Sequence, residues 1–196
     1  ESVKGLFYNV DLTASCTLIT LKNRLFAGDA VLSLADTACK NLILFGSCGG
    51  VTMEPGEIVL ASGALNMESF TELLRASSPT GFREFKPEKK LTDKLIKYLP
   101  KDIRKVTLAT VSSLVLEETR TGLIKAAGAD CVDMESSKVF SAAKNAGIKA
   151  AGLFYVTDTV GKIVFYDRYP KETAAKIKGA RKSLANKLIS FIKDEL

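Results

Sequence analysis

Histidine and tryptophan are both absent from the 196 residues of the chain. Without histidine, the Ser-His-Asp and Cys-His catalytic arrangements, histidine-ligated zinc or haem, and an imidazole general base are excluded. Any chemistry must use carboxylates, lysine, tyrosine, hydroxyl groups, thiols or backbone amides. Long apolar runs are lacking too, since none approaches the roughly 18–20 residues of a membrane span, and no signal-peptide pattern opens the chain. We therefore expect no membrane partner and no metal centre.

Cysteine is scarce, and none of the four cysteines forms a C-x-x-C pair. Free thiols suit a reducing compartment, so we expect a cytoplasmic protein rather than a secreted disulfide scaffold. The charge excess is modest, with 28 basic against 22 acidic residues and a net charge of +6. Lysines cluster in residues 86–105 and 171–193 without the interleaved aromatic residues of a nucleic-acid motif. This pattern indicates solvated helix faces and no nucleic-acid partner.

The alternation of apolar runs and amphipathic segments predicts the fold class. Length and a hydrophobic content of 46% indicate a single domain over residues 1–196. Strands and helices that alternate predict an α/β fold, a three-layer α/β/α domain with a mostly parallel, mixed central sheet. Residues 63–87 contain glycine and proline and are predicted to form a loop excursion or lid. The predicted strands are 16–21, 41–45, 58–61, 105–111, 131–132 and 149–158; the predicted helices follow Asp29 and cover 88–99, 117–127, 133–146 and 173–192.

A glycine-rich segment follows the strand predicted at 41–45. Glycines let a backbone approach a ligand and aim successive N–H groups in one direction. We therefore predict a turn in which Gly46, Ser47 and Gly49 contact a phosphate or another anionic oxygen. The segment is neither G-x-G-x-x-G nor a P-loop, which argues against a dinucleotide fold and against a P-loop ATPase. A tight turn that only packs against a neighbour fits the same residues equally well.

Acidic residues follow two other predicted strands. Asp133 can cap a helix whose first turn holds Glu135, and a carboxylate there can accept both hydroxyl hydrogens of a cis-diol. Acids in a first helical turn are also ordinary partners of the helix dipole. Asp158 ends a buried strand, where partial desolvation raises a carboxyl pKa and suits it to general acid catalysis; a turn-forming role is the alternative. Because all three features follow predicted parallel strands, we expect them to meet in one crevice.

Four segments together carry a family resemblance: LILFGSCGGV (42–51), GEIVLAS (56–62), VDMES (132–136) and FYVTD (154–158). In their order and spacing, the sequence resembles the purine nucleoside phosphorylase and methylthioadenosine/S-adenosylhomocysteine nucleosidase superfamily from about residue 16 onward. The resemblance implies cleavage of the N-glycosidic bond of a purine nucleoside such as 5'-methylthioadenosine or S-adenosylhomocysteine. It also implies a homo-oligomer, a dimer or hexamer. No cofactor is implied, apart from inorganic phosphate as co-substrate in a phosphorylase.

The resemblance assigns roles to individual residues. Asp158 would protonate or hydrogen-bond the five-membered ring of the purine. The ribose would be held by Glu135 through its hydroxyl groups and by Met134 through packing. Phosphate or the attacking water would face Ser47 and the amides of Gly46 and Gly49, and the rest of the substrate pocket would involve Asp133, Ser113 and Leu114.

The sequence also departs from the family at several places, two of which bear on the reaction. Leu44 stands where the phosphate-using bacterial members carry arginine, which favours hydrolysis over phosphorolysis; Arg24 is a substitute cation that the sequence does not place. The family's opening strand is not clearly present, and Glu1 stands where its water-orienting glutamate would be if further residues precede it. A phosphate-dependent purine nucleoside phosphorylase is the first alternative. A non-catalytic nucleoside-binding module is the alternative from another class.

Overall fold

The structure, a computed structural model, describes residues 1–13, 16–162 and 169–195. Strands and helices alternate along most of this part of the chain. The strands are β1 (Ser2–Lys4), β2 (Tyr8–Leu12), β3 (Thr17–Leu21), β4 (Asn41–Gly50), β5 (Ile58–Met67), β6 (Glu84–Phe85), β7 (Arg104–Val111), β8 (Cys131–Asp133) and β9 (Lys149–Thr159). The helices are α1 (Ala27–Leu32), α2 (Phe70–Arg75), α3 (Lys89–Ile96), α4 (Leu114–Thr119), α5 (Thr121–Ala126), α6 (Ser136–Asn145) and α7 (Lys171–Glu195), with a short 3-10 helix at Arg24–Phe26.

The strands form two sheets. β1, β2 and β3 make a small antiparallel sheet, and the other six strands are ordered β6-β5-β7-β8-β4-β9. The pairs β4/β9, β5/β7 and β7/β8 are parallel, whereas β4/β8, β5/β6 and β5/β9 are antiparallel. The predicted α/β class with a mixed central sheet is therefore confirmed. The pairing of β5 with β9 also joins β5, β7, β8, β4 and β9 into a closed ring, which the sequence analysis did not predict.

Helices cover the central sheet on two sides. On one side, Val31 of α1 and Phe140 of α6 pack with Phe154 of β9. On the other side, Leu95 of α3 and Phe191 of α7 belong to a separate apolar cluster. Burial of a leucine or phenylalanine side chain stabilises a fold by about 1.5–3 kcal/mol. In the part of the chain that the structure describes, no helix is long and apolar enough to cross a membrane.

Two predicted loops contain strand structure instead. Residues 46–50 do not form a turn, because β4 continues to Gly50 and its last two residues pair with both β8 and β9. The predicted excursion 63–87 begins with the last five residues of β5 and contains α2 and β6. Glycine was interpreted as a turn signal in both segments. Close packing explains it better, because a Cβ atom at Gly50 would collide with the Met53 carbonyl and one at Gly63 with the Glu84 side chain.

Candidate active site

A row of three residues across neighbouring strands positions the first carboxyl group. Gly49 of β4 pairs with Val132 of β8 on one side and with Asp158 of β9 on the other. A Cβ atom at Gly49 would lie 2.9 Å from Asp158 Oδ2 and 2.9 Å from Val132 Cγ2. The Asp158 carboxyl group thus lies in space that is open because Gly49 has no side chain.

The predicted reason for the crevice was wrong, although residues from the three segments do come together. β8 runs antiparallel to β4 and β9, so their carboxyl ends do not lie at one edge of a parallel sheet. β8 has only three residues, Cys131–Asp133. The residues that follow β8 therefore remain close to the last residues of β4.

Asp158 is a buried carboxylic acid with one oxygen bound by its neighbour. The residue is 3% exposed, and Thr157 Oγ1 donates to its Oδ1 over 2.6 Å. Burial raises the pKa of Asp158, the Thr157 hydrogen bond lowers it, and the charge of Glu118 raises it further. The net shift is upward, so Asp158 holds a proton at higher pH than an exposed aspartate does. That property suits a general acid.

Asp133 holds the turn between β8 and α6. Thr110 Oγ1 donates to its Oδ1 over 2.9 Å, while the backbone N–H and the hydroxyl of Ser136 both donate to its Oδ2. Burial raises the pKa of Asp133, and these hydrogen bonds lower it. With three donors from the protein on its carboxyl group, Asp133 fixes the backbone on which Met134 and Glu135 lie.

Glu135 is the N-cap residue of α6, not a member of its first turn, since the helix begins at Ser136. Its side chain is 14% exposed, and its Oε1 lies 3.4 Å from Arg24 Nε. The Met134 N–H donates to its Oε2 over 3.2 Å. Burial and the charge of Asp133 raise the pKa of Glu135 to about 7, although Arg24 lowers it. Glu135 is therefore a partly buried carboxylate covered by a guanidinium group.

Two adjoining cavities lie at this place. The smaller has a volume of about 30 Å³, and Ser47, Gly49, Leu114, Asp133, Met134 and Asp158 contribute to its lining. The larger has a volume of about 360 Å³ and is lined by Lys22, Ser112 and Lys138 among others. Arg24 and Met134 line both cavities. The smaller cavity has room for about one or two water molecules, so a larger ligand that reaches Asp158 must displace side chains at this boundary.

Four of the predicted site residues do not line either cavity, namely Glu135, Ser113, Gly46 and Glu1. The Ser113 hydroxyl caps α4 by accepting from the Leu116 N–H over 3.2 Å. A Cβ atom at Gly46 would lie 3.8 Å from the Phe154 ring, so this glycine faces core packing. Glu1 is exposed, and its backbone pairs with Leu12 at the edge of the small sheet. The predicted water-orienting role for Glu1 has no support in this geometry.

Two residues of the site were not assigned by the sequence. Arg24, mentioned there only as a cation of unknown position, lies on the cavity and pairs with Glu135. Glu117 of α4 is 6% exposed and lines the smaller cavity. Burial, followed by the charge of Asp158, raises the pKa of Glu117 to about 8. Its only sequence signal is an acid in the first turn of a helix, which is too common to single out a site.

The site thus brings together acidic groups, the hydroxyl groups of Ser47 and Thr157, and the Arg24 guanidinium group. Within residues 1–13, 16–162 and 169–195, no cluster of three or more cysteine, aspartate or glutamate side chains has the arrangement of a metal site. The available chemistry is proton transfer by buried carboxyl groups together with hydrogen bonding to a polar ligand.

The model of the phosphorylase superfamily matches residues 24–193. The chain therefore belongs to the phosphorylase superfamily, which includes nucleosidases and nucleoside phosphorylases, enzymes that cleave glycosidic bonds. No curated protein matches the chain by sequence.

Solved structures with the same fold are similar over nearly the whole chain. The 5'-methylthioadenosine/S-adenosylhomocysteine nucleosidase of Helicobacter pylori has a TM-score of 0.73 at 12% identity, over 100% of this chain and 88% of the other. A futalosine hydrolase mutant from the same organism has a TM-score of 0.74 at 12% identity, over 100% and 89%. The corresponding nucleosidase of Streptococcus pneumoniae, bound to 8-aminoadenine, has a TM-score of 0.70 at 17% identity, over 98% and 89%. At these identities, the likeness establishes the fold.

Proposed function

We propose that this protein hydrolyses the N-glycosidic bond of a purine nucleoside. The observation that carries the proposal is the position of Asp158, a buried acid on the cavity wall beside Met134, with Glu135 one residue further along the chain. Departure of a purine requires a proton on its ring, and the ribosyl group develops positive charge as the bond breaks. The site provides an acid for the first requirement and carboxylates for the second.

In the proposed reaction, protonated Asp158 donates to a nitrogen of the five-membered ring, and the glycosidic bonding electrons pass to the departing base. Water forms the new bond to the anomeric carbon and releases a proton to bulk solvent, from which Asp158 regains the proton that it gave to the base. Glu135 accepts hydrogen bonds from the ribose hydroxyls, and Met134 packs on the sugar. Ser47 lies in β4 and lines the cavity. Its hydroxyl group orients the water. Gly49 provides room for Asp158 rather than an amide cradle.

Ribose binding in this scheme requires Arg24 to leave Glu135. The Arg24 side chain is 49% exposed, so it can turn toward solvent without crossing the core. Glu135→Gln removes a charged acceptor and is expected to weaken binding of a ribosyl transition-state analogue by about 1.5–3 kcal/mol. A 2',3'-dideoxynucleoside analogue is the matched control, because it has no hydroxyl groups for residue 135 and its affinity should not change.

Phosphorolysis is the second candidate, and Arg24 is the observation that favours it. This guanidinium group lines the same cavity as Ser47, as a phosphate site requires. Against it, Arg24 is already paired with Glu135, and Leu44 replaces the arginine of the bacterial phosphorylases. Incubation with and without inorganic phosphate separates the two reactions, since hydrolysis yields free ribose and phosphorolysis yields ribose 1-phosphate. Phosphate-dependent turnover that Arg24→Gln abolishes would establish phosphorolysis.

A non-catalytic nucleoside-binding module is the candidate from another class. The observation that favours it is that the cavity beside Asp158 is small, about 30 Å³, whereas the adjoining cavity of about 360 Å³, which Asp158 does not line, has the size of a small-molecule site. Calorimetry that detects purine nucleoside binding, combined with no free base after hours of incubation, would support this alternative. Release of base at a rate that depends on enzyme concentration would exclude it.

We propose 5'-methylthioadenosine or S-adenosylhomocysteine as the first substrates to test. The names of the similar bacterial nucleosidases support this choice, and the cavity of about 360 Å³ beside Arg24 and Met134 offers space for a group on the ribose 5' carbon. The experiment is a nucleoside panel with varied base and 5' substituent, analysed by chromatography of the liberated base in buffers with and without phosphate. Failure to release base from every purine nucleoside in both buffers would refute the proposed function.

We also propose that the protein is a homo-oligomer, a dimer or hexamer, in the cytoplasm. Large apolar side chains are exposed on and beside the small sheet, and an apolar patch of this kind marks an association surface. All four cysteines are free, as in a reducing compartment. Light scattering over a range of concentrations tests the assembly, with a monomeric mass as the contradicting result. The apolar residues concerned are Val3, Leu6, Phe7, Leu12 and Leu18.

A further inference from the structure

The two adjoining cavities are lined by side chains of opposite charge. The acids Glu117, Asp133 and Asp158 line the smaller cavity, and the cations Lys22, Arg24 and Lys138 line the larger one. Among the residues that the structure describes, the lining of the larger cavity includes no aspartate or glutamate. A ligand that spans both cavities is therefore bound best if it accepts a proton at one end and carries negative charge at the other.

Both lysines of the larger cavity retain the capacity to bind a further acceptor. Lys138 Nζ lies 2.8 Å from Glu68 Oε1, and the Lys138 side chain is 18% exposed. Lys22 Nζ donates over 2.7 Å to the carbonyl oxygen of Gly5, which is a neutral group. Because an ammonium group has three N–H donors, these contacts leave donors for a ligand. The carbonyl partner of Lys22 also leaves its positive charge unbalanced.

Arg24 lies at the boundary of the two cavities, since it lines both. Its Nε lies 3.4 Å from Glu135 Oε1, and its Nη1 donates to Met134 Sδ over 3.7 Å. In the proposed reaction the ribose hydroxyls use the oxygens of Glu135, so the guanidinium group has to leave this acid. An anion in the larger cavity would give Arg24 a new acidic partner and hold it away from Glu135.

The volume of the larger cavity indicates which part of the substrate carries the anion. With the base at Asp158 and the sugar against Met134, the ribose 5' carbon is the part of the substrate left to face this cavity. Its volume of about 360 Å³ equals that of about twelve water molecules in the liquid, far more than a methylthio group needs. Leu25 and Val111 also line it, so a short apolar chain that ends in an anionic group fits its surface.

We propose that the larger cavity is an anion-binding subsite for the group on the ribose 5' carbon, which ends in a carboxylate or a phosphate held by Lys22, Arg24 and Lys138. The inference rests on the proposed hydrolysis of a purine nucleoside, which puts the sugar between the two cavities. It gives the substrate a negative charge that 5'-methylthioadenosine does not have.

The experiment uses two probes of equal size and different charge. Both are 5'-thio derivatives of 9-deazaadenosine, in which a carbon–carbon bond to the sugar prevents hydrolysis. One has a 2-carboxyethyl group on sulfur, and the other has the neutral 2-carbamoylethyl group. Calorimetry measures the affinity of the wild-type protein for each probe. We expect the carboxylate to bind more tightly by about tenfold or more, since hydrogen bonds between charged groups are stronger than those to a neutral amide.

Variants of the lysines test which residues cause this preference. Lys138→Gln removes the ammonium group and should reduce the preference to about threefold or less, whereas Lys138→Arg keeps the charge and should retain it. Lys144→Gln is the matched control, because it removes the same charge from an exposed position of α6 that lines neither cavity. Lys22→Gln should also reduce the preference, which keeps the test open if Lys138→Gln does not fold without a cation beside Glu68.

Free inorganic phosphate is another source of the same anionic chemistry. A subsite for the substrate's own anion predicts that phosphate competes with the carboxylate probe and does not accelerate release of base from 5'-methylthioadenosine. Phosphate that accelerates this release in the wild-type protein but not in Lys138→Gln would identify a co-substrate site and overturn the inference.

The remaining results distinguish the inference from the proposed function. Equal affinity of the wild-type protein for the two probes, or a preference that persists in both Lys138→Gln and Lys22→Gln, would overturn the subsite. A protein that prefers the carboxylate probe but releases no base from any nucleoside would contradict the proposed function alone. A protein that binds neither probe but releases base would overturn the inference alone, and one that does neither would overturn both.

Discussion

Replacement of Gly49 by alanine tests the packing on which the site depends. The added Cβ atom would lie 2.9 Å from Asp158 Oδ2, 2.9 Å from Val132 Cγ2 and 3.2 Å from Glu117 Oε1. Because all three groups are buried, none can move without disturbing the sheet or the cavity. Overpacking of this kind costs about 1–3 kcal/mol of stability. A displacement of the catalytic acid by about 1 Å can cost about 10²-fold in turnover.

Gly46→Ala is the matched control on the same strand. Its Cβ atom would lie 3.8 Å from the Phe154 ring, an ordinary contact distance. Urea unfolding should give a loss of about 1–3 kcal/mol for Gly49→Ala and a change within about 0.5 kcal/mol for Gly46→Ala. Base release should fall only in the Gly49 variant. Equal stability and equal turnover in the two variants would refute the account of Gly49 as the space for Asp158.

Two further predictions concern protonation. The pKa of Glu117 rises from an ordinary 4.5 to about 8 on folding, so the folded state binds a proton that the unfolded chain has lost between these pH values. Stability should therefore fall as pH rises from about 4.5 to about 8, and less steeply in Glu117→Gln; parallel urea-derived profiles for the two proteins would contradict this. Thr157→Val removes a hydrogen bond that lowers the pKa of Asp158. The pKa of the acid should therefore rise, and the alkaline limb of the pH–rate profile should move to higher pH. A shift to lower pH would contradict this role of Thr157.

The sequence predicted the fold class because its buried strands appear as continuous apolar runs, as in 41–45 and 149–158. Strands buried on both faces have this pattern whatever the direction of their neighbours. Periodicity alone could not show that β8 is antiparallel to β4, nor that β5 pairs with β9. Those pairings depend on packing between segments distant in the sequence.

In the glycine-rich segment, the prediction of a turn from local sequence was wrong. A run such as Gly46 to Gly50 is ambiguous between a turn and a strand that other groups approach closely. The structure has the strand, because side chains from β8, β9 and α4 occupy the space above Gly49. No feature of the segment itself indicates which side chains from distant parts of the sequence pack against it.

The carboxyl groups of the site also differ in whether the sequence could predict their burial. Asp158 lies near the end of a long apolar strand, so its burial could be predicted, and the structure bears this out. Glu117 could not be singled out, because Gly49 and Asp158, which are distant in the sequence, lie near it only in the folded protein. Arg24 likewise follows an exposed strand and reaches Glu135 across 111 positions of the chain only in the folded protein.

The most direct test of the central claim is a comparison of leaving groups in Asp158→Asn. The variant should lose about 10²–10⁴-fold in turnover of an adenosine-type nucleoside, whose base must be protonated to depart. It should retain most of its activity on a 4-nitrophenyl riboside, whose leaving group departs without a proton. Equal losses on the two substrates, or no loss on the nucleoside, would contradict the role of Asp158 as the acid that releases the purine.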